Sequence, residues 1–116
     1  MTTKINYIEL PAADLQAIKT FYRNVFGWKF KDFGKQYTAF KKSGIRGGFY
    51  QSRTRMSVAS GSALVVLYHK RLKKIQKKIV KNGGKITVPT FDFPGGRRFH
   101  FKDVNGNELA VWSDKN

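Results

Sequence analysis

An internal repeat constrains the fold of this chain more than any other sequence feature. Leu72 follows Leu15 by 57 positions, and the same offset separates two further pairs, Ile18 from Ile75 and Gly27 from Gly84. These positions mark the start, the apolar face and the glycine stop of two amphipathic helices. Two unrelated amphipathic helices could agree at three positions by chance. The strand patterns around each helix favour a duplication instead.

Each half of the sequence predicts the order strand–helix–strand–strand–strand. The first module spans about 4–51, a polar connection covers 52–61, and the second module spans about 62–114. Predicted strands cover 4–10, 28–33, 37–41, 45–51, 63–69, 85–88, 97–102 and 107–113, with helices over 14–26 and 70–82 and a loop over 89–96. The Asn105-Gly106 step predicts a tight hairpin before the last strand. A chain of 116 residues with this pattern suits one α+β domain, residues 1–116.

Composition supports a packed core and excludes several kinds of chemistry. Hydrophobic residues make up 41% of the chain and aromatic residues 15%, which argues against disorder. The chain has no cysteine, so disulfides, thiolate metal sites and thiol nucleophiles are excluded. The sequence shows no signal peptide and no apolar run of membrane length. We therefore expect a cytoplasmic protein that does not enter a membrane.

The charge is strongly one-sided, with 23 Lys and Arg against 7 Asp and Glu and a formal net charge of +16. Such a field attracts anionic ligands and repels cationic ones, although a solvated basic surface explains it equally well. Lysines are densest on the predicted helix within Lys70–Lys85. A basic amphipathic helix can bind nucleic acid. No nucleic-acid recognition motif accompanies the helix, and its apolar stripe is needed for the sheet.

Several motifs resemble the vicinal oxygen chelate superfamily, which includes glyoxalase I, extradiol dioxygenases and bleomycin-resistance proteins. The first half carries Asp14-Leu15, Phe21-Tyr22 and Val25-Phe26-Gly27-Trp28, and the second carries Gly83-Gly84-Lys85 and the segment Arg98–Leu109 with Asp103-Val104-Asn105-Gly106-Asn107. The resemblance runs over nearly the whole chain. It implies two βαβββ modules that form a curved mixed sheet around a cavity, with the helices on the outer face. It also implies a homodimer.

The metal-binding pattern of that superfamily is broken in this sequence. The resemblance implies a His or Gln on the first strand of each module and a Glu on the last strand. Tyr7, Leu64 and Ala110 stand at three of these positions, and Arg46–Tyr50 contains no carboxylate. Because Leu and Ala offer no donor and Tyr replaces imidazole poorly, we expect no metal and no other cofactor.

Three residues remain candidates for chemistry. His100 lies between Phe99 and Phe101 on a predicted strand, so it faces the cavity if the two rings pack under the helices. Glu9 and Glu108 point inward by the same alternation. His100 and Glu9 are therefore candidate catalytic residues and Glu108 a candidate ligand-binding residue. Alternatively, His100 is a structural strand histidine, and the two glutamates form ion pairs with Arg46, Arg98 or Lys102.

Aromatic and basic residues complete the candidate ligand site. Tyrosines and a tryptophan are candidates for the wall, and two arginines for the mouth: Tyr7, Tyr37, Tyr50, Tyr68, Trp112, Arg46 and Arg98. The sequence thus predicts a glyoxalase-like protein that binds, or acts without a metal on, a small anionic or planar molecule. Two alternatives are an antibiotic-sequestering resistance-type protein and a polyanion-binding accessory protein that uses the basic helix. The net charge disfavours cationic antibiotics.

Overall fold

The computed structural model describes residues 1–115 and contains two modules of the same topology. The first module consists of β1 (Tyr7–Ala12), α1 (Leu15–Phe26), β2 (Lys29–Asp32), β3 (Tyr37–Lys41) and β4 (Arg46–Gln51). The second consists of β5 (Val66–Tyr68), α2 (Leu72–Lys81), β6 (Lys85–Phe93), β7 (Gly96–Lys102) and β8 (Glu108–Ser113). The two helices begin at Leu15 and Leu72, as the repeat predicts. The predicted α+β fold of two βαβββ modules is confirmed.

Each module forms its own four-stranded mixed sheet. The strand order is β1-β4-β3-β2 in the first sheet and β5-β8-β7-β6 in the second. The first strand of each module runs parallel to the last, and the other neighbours are antiparallel. The helices pack on one face of the sheets. We call the opposite face of each sheet its open face.

Local sequence signals define both ends of α1. Asp14 is the N-cap, and its side chain accepts a hydrogen bond from the Ala17 amide at 3.0 Å. Gly27 ends the helix with φ 77°, and its N–H donates to the Arg23 carbonyl at 3.0 Å. The helix has 12 residues and α2 has 10. No helix within residues 1–115 combines the length and apolar character that a membrane crossing requires.

The two modules share one hydrophobic core. Phe21 and Phe26 of α1 contact Phe101 of β7, with ring centroids 6.3 Å and 5.8 Å apart. The aliphatic and aromatic residues of both helices join this cluster, including Ile18, Tyr22, Val25, Ile75 and Ile79. Burial of this apolar surface is the main term that holds the modules together.

The turn between β7 and β8 adds hydrogen bonds across the modules. Asp103 Oδ1 accepts from the amides of Asn105 and Asn107 at 2.8 Å and 3.1 Å, which fixes the turn. Asn105 Oδ1 then accepts from the Asp14 amide at 2.6 Å, and Asn107 Nδ2 donates to the Pro11 carbonyl at 2.7 Å. The Asp103–Asn107 motif therefore joins the second module to the first.

Two predicted boundaries in the second module are wrong. Strand β6 continues to Phe93 where the sequence predicted a loop over 89–96, and β5 is shorter than the predicted strand over 63–69. Pro89 is accommodated because β6 is an edge strand with register shifts around Val88. An edge position lets proline lack an N–H without breaking a ladder.

Candidate functional site

Strand alternation determines which side chains of β7 reach the open face of the second sheet. Phe99 and Phe101 are fully buried in the core, so Arg98, His100 and Lys102 point to the opposite side. In the neighbouring strand β8, Trp112 and Ala110 lie opposite Arg98 and His100, and Glu108 lies opposite Lys102. His100 therefore lies on the side of the sheet opposite to the two phenylalanines, as strand alternation predicts.

His100 and Glu108 form a hydrogen-bonded pair on this face. The distance from His100 Nδ1 to Glu108 Oε2 is 2.9 Å, and Glu108 Oε1 accepts from the Val58 amide at 3.0 Å. The hydrogen bond from His100, followed by that from Val58, lowers the pKa of Glu108. The carboxylate is therefore ionised at neutral pH and has no proton to donate. Nδ1 of His100 must carry the proton in this bond.

The other ring nitrogen of His100 has no partner. Nε2 is buried, and no hydrogen-bond partner lies near it within residues 1–115. The whole residue is 8% exposed, and the ring of Phe91 lies 6.1 Å from the imidazole. An imidazole that donates Nδ1–H to a carboxylate presents Nε2 as an acceptor, which is the arrangement of a general base.

Arg98 lies in an aromatic environment beside this pair. Its guanidinium carbon is 5.2 Å from the ring centroid of Phe91 and 5.7 Å from that of Phe93. Its Nε is buried without a partner among the described residues. Trp112 contacts Phe93 at 6.3 Å and Tyr68 at 5.1 Å between centroids. One cation and several aromatic rings thus share the open face.

The first sheet carries a separate polar network on its open face. The Tyr37 hydroxyl donates to Glu9 Oε2 at 2.9 Å and lies 2.5 Å from the Tyr7 hydroxyl, which donates to it. Burial, together with the bonds to Tyr7 and Glu9, raises the pKa of Tyr37, so the phenol stays protonated. The ring lies over Gly48, where a Cβ atom would be 2.2 Å from the hydroxyl oxygen.

The structure therefore divides the candidate residues into two groups. Glu9 belongs to the first sheet, and Glu108 and His100 belong to the second, and no hydrogen bond within residues 1–115 links the two groups. The ion pairs found in this part of the chain join neither glutamate to Arg46, Arg98 or Lys102. Neither glutamate forms a direct ion pair of this kind, although the charge of Lys102, which lies opposite Glu108, helps to lower the pKa of Glu108. The exposed Arg46 and Tyr50 also lie on the open face of the first sheet.

Sequence reasoning missed three contributors to this site. The sequence pattern predicts a loop at Phe91 and Phe93, although their spacing of two residues also fits a strand with both rings on one side. The third contributor is the Val58 amide from the connection between the modules, which bonds to Glu108. A backbone donor leaves no signal in residue type, so no pattern could have identified it.

The residues at the expected metal positions do not fit a divalent ion. The Tyr7 hydroxyl is engaged with Tyr37, Leu64 has no donor atom, and Ala110 is a fully buried alanine that pairs with Val66. No cluster of three or more His, Cys, Asp and Glu side chains occurs in residues 1–115. Because zinc and similar ions need about four such donors, the donor set here is insufficient.

Comparison with known proteins gives one family and many structural neighbours. The sequence matches the family model described as the Glyoxalase/Bleomycin resistance protein/Dioxygenase superfamily over residues 4–111. No curated protein matches the sequence.

Three solved structures illustrate the similarity. A glyoxalase-related enzyme from Fulvimarina pelagi is 18% identical with a TM-score of 0.78, covering 97% of this chain and 88% of that one. A fosfomycin resistance protein from Listeria monocytogenes is 15% identical with a TM-score of 0.78, covering 97% and 94%. A lactoylglutathione lyase from Agrobacterium tumefaciens is 19% identical with a TM-score of 0.73, covering 97% and 95%. The TM-scores establish that this chain shares the fold of these proteins, and at such low sequence identities the similarity extends to the fold alone.

Proposed function

Because the chain belongs to the glyoxalase/bleomycin resistance protein/dioxygenase superfamily, we propose that it is a glyoxalase-like protein that binds a small anionic or planar molecule without a metal. The binding site is the open face of the second sheet, around Arg98 and His100. The observation that carries this proposal is the His100–Glu108 pair, which leaves a buried, unpartnered Nε2 beside an arginine that pairs with no carboxylate among the described residues.

The surroundings of Arg98 favour an anion with a planar group. A guanidinium binds carboxylates and phosphates through paired hydrogen bonds. Phe91, Phe93 and Trp112 supply ring faces next to it. The net charge of +16 attracts such a ligand over longer distances.

His100 is the candidate catalytic group if the bound molecule reacts. Glu108 holds the imidazole by Nδ1, so Nε2 can accept a proton from the ligand. Nε2 is buried in this conformation, so a neighbour such as the Phe91 ring must move when the ligand binds. The Glu9–Tyr37–Tyr7 network is the corresponding polar group of the first sheet, with Glu9 as its candidate base.

A homodimer is part of the proposal. Large side chains on the open faces are 38–46% exposed, namely Tyr7, Tyr50 and Tyr68. A second copy that covers these faces would remove this apolar surface from water and enclose the ligand. Sedimentation velocity tests this assembly, with a single monomeric species as the contradicting result.

The ligand test compares two neighbouring arginines. A panel of small anions, including 2-oxo carboxylates, aromatic carboxylates and phosphonates, is screened by thermal shift on protein treated with EDTA. Any anion that stabilises the protein is then titrated against Arg98→Gln and His100→Gln. We expect Arg98→Gln to weaken binding about tenfold or more, because a charge-assisted hydrogen bond is lost.

Arg97→Gln is the matched control. Arg97 is adjacent on β7, points to the opposite side and pairs with Asp92 at 3.4 Å, so its loss should leave the affinity nearly unchanged. The proposal is wrong if no anion stabilises the protein, or if stabilisation requires added Zn²⁺, Mn²⁺ or Mg²⁺. Phosphonates as the sole binders would support the resistance-type alternative, in view of the Listeria neighbour.

A polyanion-binding function is the second candidate. Lys73, Lys74, Lys77, Lys78 and Lys81 of α2 are all exposed, and none pairs with a carboxylate among the described residues. Salt-sensitive binding to DNA or RNA that is abolished by reversing the charge of Lys73, Lys74, Lys77 and Lys78 would support it. No binding at low salt would exclude it.

A further inference from the structure

We infer that the groove between the two modules, on the helix side of the sheets, is a second small-molecule site for an amphipathic ligand with one anionic head group. This groove is distinct from the open faces that carry the proposed function. Its volume is about 800 Å³, within the range of small-molecule sites.

Both modules build the walls of the groove. Ile8 of β1, Trp28 and Phe40 line it from the first module, and Leu67 of β5 and Ile75 of α2 line it from the second. β1 and β5 are edge strands of separate sheets, and both contribute side chains to the groove. The result is an apolar floor at the junction of the modules.

The groove borders the open face of the second sheet at Val66 and Tyr68 but contains none of the polar groups of that face. Ile8 points to the helix side of β1, whereas Tyr7 and Glu9 on either side of it point to the open face. Neither His100 nor Glu108 lines the groove. A ligand in the groove would therefore contact neither His100, Glu108 nor Arg98, and Tyr68 is a side chain that borders both sites.

The rim of the groove is cationic. Arg23 at the end of α1, Lys42 in the β3–β4 turn and Lys78 of α2 line it, and no Asp or Glu among the described residues does. None of the three cations takes part in an ion pair within residues 1–115. Three unpaired cations above an apolar floor complement a ligand with a negative head and a hydrocarbon body.

The backbone conformation of Lys42 independently indicates that the groove rim has a functional role. Lys42 has φ 63° and is the sole non-glycine residue with positive φ in residues 1–115. The left-handed conformation is unfavourable for lysine, and such residues concentrate at functional positions. Ser43 Oγ donates to the Ile45 carbonyl at 2.7 Å and helps to hold the turn. The strained turn therefore fixes a lysine at the groove rim, where glycine or asparagine would be conformationally easier.

Charge complementarity favours a small anion over a segment of a second copy. The exposed residues 1–6 precede β1 directly, and Lys4 is among them. Insertion of that segment from another copy would bring Lys4 against Arg23, Lys42 and Lys78. Like charges at short range oppose such docking.

The test uses octanoate, with octan-1-ol and acetate as ligands that lack the charge and the chain respectively. Amide NMR titration locates the site, and calorimetry measures the affinity. We expect octanoate to shift the amides of Gly44 and Leu67, and to bind at least tenfold more tightly than octan-1-ol or acetate. The variant Arg23→Gln/Lys42→Asn/Lys78→Gln should lose at least tenfold in affinity. Asparagine keeps the left-handed conformation accessible.

The control variant Arg53→Gln/Lys35→Gln/Lys77→Gln removes the same charge from exposed positions outside the groove. It should retain the octanoate affinity within about twofold. An equal loss in both variants, equal affinity for octan-1-ol, shifts confined to the open faces, or no octanoate binding at all would each overturn the inference. Each substitution is also made singly, so that a poorly folded triple variant does not decide the result. Failure of this site leaves the Arg98 test unaffected.

Discussion

Asn105 and Asp14, 91 residues apart, are hydrogen-bonded in both directions. The Asp14 amide donates to Asn105 Oδ1 at 2.6 Å, and Asn105 Nδ2 donates to the Asp14 carbonyl at 3.3 Å. Asp14 is at the same time the N-cap of α1. One amide side chain of the second module therefore fixes the position at which the first helix begins.

Replacing Asn105 with alanine should destabilise the whole chain. Asn105→Ala leaves the Asp14 amide and carbonyl without these partners, and we expect a loss of about 1–2 kcal/mol in the free energy of unfolding. Urea denaturation followed by circular dichroism measures this loss. Asn6→Ala, at an exposed position before β1, is the control and should change stability by less than about 0.5 kcal/mol. Equal stability of the two variants would contradict the bridging role.

Gly48 should be intolerant of a side chain because of Tyr37. A Cβ atom at Gly48 would lie 2.2 Å from the Tyr37 hydroxyl, so Gly48→Ala must displace the ring and break its bonds to Tyr7 and Glu9. We expect a destabilisation of about 1–3 kcal/mol. In a Tyr37→Ala background the same substitution should cost much less. A double-mutant cycle measures the difference, and additive effects would show that another contact excludes the methyl group.

The lowered pKa of Glu108 predicts an acid-dependent loss of stability. A carboxyl whose folded pKa is depressed contributes stability that is present above its unfolded value, near 4.5, and lost as pH falls through the folded pKa. Glu108→Gln removes this contribution. Unfolding free energies from about pH 6 to about pH 3 should therefore decline less steeply in the variant than in the native protein. Parallel curves would show that the His100 and Val58 bonds do not perturb Glu108.

His69 should titrate below its ordinary range because of its position at the groove. Partial burial lowers the pKa of His69 from 6.5, and Lys78 and Lys74 lower it further. The Arg71 amide donates to its Nδ1 at 2.9 Å, and this bond requires the unprotonated nitrogen. Lys78→Gln should raise the pKa by a few tenths, since one like charge is removed. Lys77→Gln, one residue away on α2, should leave it nearly unchanged. The His69 Cε1–H resonance measured against pH distinguishes these outcomes.

Sequence periodicity determined the modules and the orientation of individual side chains. The repeat located both helices at Leu15 and Leu72, and alternation placed His100 opposite Phe99 and Phe101. These features are local, because a helix or strand period is set by the backbone of the segment itself. The absence of suitable metal donors at Leu64 and Ala110 was likewise evident from residue type.

The tertiary structure decided which of these side chains meet. Glu9 bonds to Tyr37 in the first sheet, whereas Glu108 bonds to His100 in the second, although alternation alone gave both glutamates the same direction. The groove between β1 and β5 and the contact of Asn105 with Asp14 also depend on how the modules dock. A pattern of residues specifies the face on which a side chain lies. The neighbours of that side chain depend on strand register and on how distant segments pack together in the shared core.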